Sequence, residues 1–200
     1  MADITIDEIK RLRELTGVGI TDAKKALVEA KGDFDKALSA MRKKGLTKAE
    51  KRGEREARAG IVSTYNHDNR IGVVVEVNCE TDFVARNELF TDLVKDVSMH
   101  IAASSPIYVS IEDVPSEDVD KVKAEFTEKA KADGKPENMI EKIVEGMVSK
   151  HFAEKCLMDQ PFIKNPDQKV SDLVKENIAK LGENIVIKRF SRMAIGEVSS

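Results

Sequence analysis

Ile71-Gly72-Val73-Val74-Val75-Glu76-Val77-Asn78-Cys79 is the stretch from which the fold is read. In an extended chain Ile71, Val73, Val75, Val77 and Cys79 fall on one side, and Gly72, Val74, Glu76 and Asn78 on the other. A period of two marks a strand with one buried face. Asn66-His67-Asp68-Asn69 just before it has the composition of a turn. Ile61-Val62-Ser63-Thr64-Tyr65 reads as a strand, so the two form a predicted β-hairpin. A third strand is expected in Asn184-Ile185-Val186-Ile187-Lys188-Arg189-Phe190. Three strands need a helical cover to be stable. Leu89, Phe90, Leu93, Val94, Val97 and Ile101, on one helical stripe after Asn87, supply it.

Two longer helical patterns follow Pro115. Val119, Val122, Phe126 and Ala130 line the first; Met139, Ile140, Ile143, Val144, Met147 and Val148 line the second. Asp133-Gly134-Lys135-Pro136 is the turn between them, with Pro136 placed to start a helix. The expectation is a helical hairpin at about residues 116–156, with both stripes serving as core. Pro161 to Gln168 reads as irregular, and a short helix around Leu173, Val174 and Ile178 leads to the last strand.

On the N-terminal side the pattern becomes wholly helical. Thr5-Ile6-Asp7-Glu8 has the form of a capping box, followed by Ile6, Ile9, Leu12 and Leu15 on one face, with Gly17 and Gly19 as the stop. Thr21 is the expected cap of a second helix with Ala23, Ala26, Leu27 and Ala30 inward, ended by Gly32. Asp33 is that of a third, with Phe34, Ala37, Leu38 and Met41 inward, closed by Gly45. Thr47-Lys48-Ala49-Glu50 opens a fourth helix to about Arg58, polar nearly all round, which reads as a solvated connector. The fold class is therefore α+β. A three-helix module at 1–46 and a connecting helix at 47–58 precede a core at 59–200 with a small antiparallel sheet, covering helices and the helical hairpin.

Composition excludes several classes of function. The 200 residues are 41% hydrophobic, enough for a core and too much for a disordered chain. Lys and Arg number 33 against 36 Asp and Glu, so the whole chain lacks the basic excess of a polyanion binder. Two cysteines exclude a disulfide framework and a multi-Cys zinc site. No apolar run is long enough to span a bilayer, and Met1-Ala2-Asp3 opens neither a basic leader nor a signal region. A cytoplasmic chain without a membrane anchor is expected. The charge is uneven: residues up to Arg58 hold fifteen basic and eleven acidic side chains, concentrated as Arg42, Lys43, Lys44, Lys48, Lys51, Arg52, Arg55 and Arg58.

No acid–base, nucleophile or metal constellation stands out, so no catalytic residue, metal or cofactor is expected. Glu80 and Asp82, one residue apart in a strand-like segment, share a face with no histidine near in sequence, and read as a solvent-facing pair at a strand end. Thr16-Gly17-Val18-Gly19 lacks the remaining glycine and Lys-Ser/Thr of a phosphate loop, and follows a helix; it reads as a helix–helix turn. Cys79 ends an apolar face and reads as buried. His100, within the helical pattern, reads as structural. Cys156 stays open. Glu80-Thr81-Asp82-Phe83-Val84-Ala85-Arg86-Asn87 is different, because a large apolar residue sits in a loop held between two regular elements, where recognition sites concentrate. On sequence physics alone, Phe83 tucked into its own core and Phe83 exposed for a partner both stand.

These segments together resemble the bacterial elongation factor Ts family. Thr16-Gly17-Val18-Gly19-Ile20-Thr21-Asp22-Ala23-Lys24-Lys25-Ala26-Leu27 is similar to its N-terminal signature, and Glu76-Val77-Asn78-Cys79-Glu80-Thr81-Asp82-Phe83-Val84-Ala85-Arg86 to its second. Gln160-Pro161-Phe162-Ile163 and Leu181-Gly182-Glu183-Asn184-Ile185 are further family-like stretches, so the likeness spans nearly the whole chain. The resemblance implies a ubiquitin-associated-like N-terminal module, an α/β core, and release of GDP from elongation factor Tu so that GTP can bind. It implies that Thr81, Asp82, Phe83 and Val84 enter the GTPase, that Leu181 and Gly182 touch its nucleotide-binding region, and that Ile20, Thr21 and Lys24 form the contact of the N-terminal module. Ile20 and Thr21 stand where relatives commonly carry a Met-Met pair. The partner implied is a protein, with no nucleotide binding by this chain itself and no nucleic acid or membrane. Long members carry two related subdomains. This chain has sheet for one and no second Thr-Asp-Phe-Val segment, as in short members, which complete the missing half as homodimers; the alternative is that the helical hairpin folds back and covers the sheet within one monomer. A reading of another class takes residues 42–58 as an RNA- or ribosome-binding surface, marked by salt-sensitive binding without the GTPase.

Overall fold

The structure is a computed structural model that describes residues 4–197, without the side chains of residues 46–48 and 50. The chain forms two compact units. One holds residues up to Met99 and from Ser171 on; the other holds His100–Val170.

The first unit opens with α1 (Ile6–Thr16), α2 (Ile20–Glu29) and α3 (Phe34–Arg52). The capping box forms as its residue types dictate: the Thr5 hydroxyl accepts the Glu8 N–H and the Glu8 carboxylate accepts the Thr5 N–H. Ile9, Leu12, Ala23, Ala26, Leu27, Ala37 and Met41 make the core of this module, while Ile6 and Leu15 of the expected stripe are exposed. Asp33 accepts the Lys36 N–H at the start of α3. Thr21 does not cap α2; Gly19 holds the N-cap position and Thr21 lies inside the helix.

The third helix does not close at Gly45. It runs on to Arg52, because Gly45 is buried and its missing side chain admits another helix: a Cβ there would meet Ala179 Cβ at 3.3 Å. The side chains of the expected Thr47–Glu50 capping box lie outside the described residues, but the backbone there is continuous helix. Ala49 is buried, so this end of α3 is not solvated all round, and residues 53–58 are not helical.

The sheet consists of β1 (Ala59–His67), β2 (Ile71–Cys79) and β5 (Ile185–Ala194), antiparallel in the order β1-β2-β5. Asp68 and Asn69 take left-handed φ angles of 51° and 56°, and Arg70 N–H reaches the His67 carbonyl at 2.9 Å, closing the tight turn that this composition favours. Val73, Val75, Val77 and Cys79 are buried with Ile185 and Ile187. The register shifts between Glu76 and Val77, so that Ile187 and Phe190, three apart, both turn toward the buried side. The opposite face bears Val62, Val74, Val186 and Met193, all exposed. After β2 come α4 (Asp82–Ala85) and α5 (Glu88–Ser104), the latter burying Phe90, Leu93, Val94, Val97 and Ile101 but leaving Leu89 exposed.

In the second unit, α6 (Ser116–Ala132) and α7 (Glu137–Ala153) form the expected antiparallel hairpin, with Ala130 and Val144 buried and Met139 exposed. Val114, Phe152 and Cys156 form a core at its base with Tyr108, Val119, Val122 and Val148. Residues 161–168 are not irregular. They contain β3 (Pro161–Phe162) and β4 (Asn165–Lys169), a short antiparallel pair. Then α8 (Val170–Leu181) leads back to β5. Among the described residues no helix is long and apolar enough to cross a membrane.

Candidate functional site

Phe83 is not tucked into its own core: it is 91% exposed. The cause is local. Thr81 turns the chain out of β2, and its hydroxyl caps α4 by accepting the Val84 N–H at 3.5 Å. In this single turn Phe83 and Ala85 lie roughly 200° apart around the axis. Ala85 is buried and α4 rests on β1 and β2, so Phe83 points to solvent. Asp82 is exposed and Val84 half-buried. Asn87 then caps α5, its side chain accepting the Leu89 N–H at 2.9 Å.

The segment is anchored by Glu183 and Asn184, residues of the family-like 181–185 stretch whose tethering role no spacing marked. The Glu183 carboxylate accepts the Glu80 N–H at 3.1 Å, the Thr81 N–H at 3.0 Å and the Thr81 hydroxyl at 2.7 Å. In return, the Glu80 carboxylate accepts the Asn184 N–H at 2.6 Å and lies 3.7 Å from the Arg55 guanidinium. The Asn184 amide, buried, donates to the carbonyls of Arg55 at 2.7 Å and Gly53 at 3.2 Å. Residues 53–55, 80–81 and 183–184 are thus knotted by polar bonds. Glu80 and Asp82 do not form a strand-end pair, since Asp82 is on α4 and Glu80 is engaged in the knot. Among the described residues, no three His, Cys, Asp or Glu side chains gather as a metal-ligand set.

Leu181 and Gly182 lie between this knot and the N-terminal module. Gly182, at φ 82°, ends α8 with its N–H on the Ile178 carbonyl at 2.9 Å, and both residues are half-buried. The turn after α1 abuts the same end of α8: Gly17, at φ 65°, sits so close that a Cβ would meet Lys180 Cα at 2.6 Å. Arg52 donates to the Ile178 carbonyl at 3.1 Å. Ile20, Thr21 and Lys24 form a second exposed patch at the start of α2, with Ile20 and Lys24 neighbours one turn apart.

The remaining candidates have structural surroundings. Cys79 is buried, its thiol donating to the Thr81 carbonyl at 3.2 Å, and burial followed by the Glu183 charge pushes its pKa up. Burial, then the carboxylates of Asp159, Asp113 and Glu112, raises Cys156 to about 11, so both thiols stay protonated. His100 is buried and its Nδ1 accepts the Ile163 N–H at 3.3 Å. Nε2 therefore carries the proton and donates to Gln160 Oε1 at 2.9 Å, an orientation fixed by the Gln160 amide donating to the Glu154 carbonyl. Within the basic stretch, Arg52, Arg55, Arg58 and Lys44 face Ile178, Glu80, Glu56 and Asp22 respectively.

Comparison with known proteins agrees over the length of the chain. A family model described as Elongation factor TS matches residues 43–197. The Elongation factor Ts of Thermodesulfovibrio yellowstonii is 51% identical over 194 residues, 97% of this chain and 97% of the relative. That of Alkaliphilus oremlandii is 52% identical over 98% of this chain and 90% of its own length. That of Geobacter sulfurreducens is 50% identical over 97% of this chain and 90% of its own.

Proposed function

The chain belongs to the elongation factor Ts family, and from that membership we propose that it is the guanine nucleotide exchange factor of elongation factor Tu. It binds the GDP form of that GTPase and promotes GDP release so that GTP can enter. The observation that carries this reading is Phe83, an aromatic side chain held 91% exposed on a tethered helical turn. Water is a poor environment for that ring, and a groove between elements of the GTPase is a better one.

A GTPase grips GDP through backbone donors at a helix N-terminus, a lysine and a bound magnesium ion. Thr81, Asp82, Phe83 and Val84 enter the partner and shift the elements that hold the ion. Leu181 and Gly182 contact its nucleotide-binding region, and Ile20, Thr21 and Lys24 dock the N-terminal module. Weakening the grip by about 4 kcal/mol speeds GDP departure about a thousandfold. No covalent bond is made or broken, so the chain needs no catalytic group, cofactor or nucleotide site of its own. Coupling is reciprocal: the factor holds the nucleotide-free GTPase tightly and either nucleotide loosens that hold, so direction comes from the cytoplasmic nucleotide ratio.

The working form is a homodimer, supported by the open face of the sheet. Val62, Val74, Val186 and Met193 are exposed there beside the Glu76–Arg189 ion pair, and two-fold closure would cover them.

Release of fluorescent GDP from purified elongation factor Tu, with and without the chain, tests the exchange reading. Acceleration at substoichiometric chain supports it; an unchanged rate overturns it.

A further inference from the structure

We propose that Glu183 is a positioning residue for nucleotide exchange, holding the turn that presents Phe83. This rests on the reading of α4 as the element that enters the GTPase.

The geometry is specific. One carboxylate takes three donors from the two residues that precede α4, two backbone N–H groups and the Thr81 hydroxyl. That same hydroxyl caps α4, so Glu183 orients the group that orients the helix carrying Phe83. A four-residue helix has no stability of its own, and its direction depends on such tethers. Hydrogen bonds to a charged acceptor are the stronger kind. Glu183 in turn is fixed by its neighbour, because Asn184 is bonded through its backbone to Glu80 and through its side chain to residues 53 and 55. Glu183 therefore acts on the partner through Phe83.

Thr81 is exposed, so water can take over its donors when the carboxylate is removed, and the fold survives while the direction of α4 is lost. Glu183→Ala is expected to slow stimulated GDP release about tenfold, the value of one charge-assisted hydrogen bond. Glu183→Gln keeps an oxygen for the two N–H groups and an amide that donates to the Thr81 oxygen, so it restores most of the rate. In the Phe83→Ala background, Glu183→Ala should add no further loss, because the group it positions is gone.

The test is fluorescent GDP release from elongation factor Tu at saturating full-length chain, with circular dichroism melts on every variant. Thr81→Val removes the hydroxyl alone and is expected to slow release as Glu183→Ala does, which keeps the test open if the alanine variant fails to fold. A folded Glu183→Ala or Thr81→Val chain that works at the wild-type rate overturns the proposal. So does a double variant whose two losses multiply, or a Gln variant as slow as the Ala variant. A wild-type chain that fails to accelerate release overturns the exchange reading itself, which is a distinct result.

Discussion

Replacing Phe83 by alanine separates a side chain that serves the fold from one that serves a partner. Phe83 is 91% exposed, so only a tenth of its surface is buried within its own chain. Of about 200 Å² on a phenylalanine, about 20 Å² is then at stake, or about 0.5 kcal/mol. Alanine returns part of this through its higher helix propensity. For a chain of this size the melting temperature should fall by only about 1–2 °C. Phe90, seven residues on and fully buried, is the contrast: its alanine variant should cost about 3–5 kcal/mol.

The order reverses in the exchange assay. Seating the exposed ring in a groove removes about 180 Å² from water, worth at most about 4–5 kcal/mol. Truncating a central interface anchor typically costs about 2–4 kcal/mol, so Phe83→Ala should slow stimulated GDP release about 30-fold to 1,000-fold. Stopped-flow release of fluorescent GDP, with melting curves on the same samples, gives both numbers. A folded Phe83→Ala chain that releases GDP at the wild-type rate would refute the proposal that Phe83 acts as a wedge inside the GTPase. A chain that unfolds would show that Phe83 was core after all.

Three other outcomes follow from the geometry. Gly17→Ala forces a Cβ to 2.6 Å from Lys180 Cα at a φ of 65°, so it should destabilise by about 2 kcal/mol or more, seen as a melting temperature lowered by several degrees; an unchanged value would mean that the module does not rest on α8. Burial lowers the His100 pKa below its ordinary 6.5, so the unfolded chain binds the proton first on acidification. Stability is full above 6.5 and falls by up to about 1.4 kcal/mol per pH unit below it, until the folded pKa is reached. His100→Gln should melt lower at neutral pH and lose that slope, and an identical slope in the variant would assign it elsewhere. Light scattering at micromolar concentration should give twice 22.2 kDa, with Val74→Lys shifting the chain toward monomer; a single 22.2 kDa species fully active in exchange would exclude the obligate dimer.

Elements governed by a local period were legible before any coordinates. The alternation of Ile71 to Cys79, a turn within Asn66–Asn69, the Thr5–Glu8 capping box and the turn at Gly134 all depend on neighbours within four residues. Gly45 shows where this reasoning stops. A glycine after an apolar run is normally read as a stop, yet here its use is close approach to Ala179, more than a hundred residues away. The β3–β4 pair was missed because two short strands containing Pro161 and Pro166 lack any period. At the site, the identity of Phe83 was legible and its exposure was not, because exposure depends on where Ala85 and Thr81 are anchored. Glu183 and Asn184 carried no local signal either: their partners lie at Glu80, Thr81, Gly53 and Arg55.

A wedge has to be both exposed and rigid, and these demands conflict. Apolar side chains ordinarily become rigid by burial, and burial would remove Phe83 from any partner's reach. Here rigidity comes from polar bonds on the other side of the turn. The Glu183 carboxylate, the Thr81 hydroxyl and buried Ala85 hold α4 without using any of the ring's surface. The apolar area therefore stays available, and the backbone of α4 has little conformational entropy left to lose when the ring seats. That balance sets how much work the contact can do. About 4–5 kcal/mol of ring burial is the same size as the loosening of GDP that speeds its release about a thousandfold. A flexible loop carrying the same phenylalanine would spend part of this on ordering itself, and the loss would appear in the rate of release.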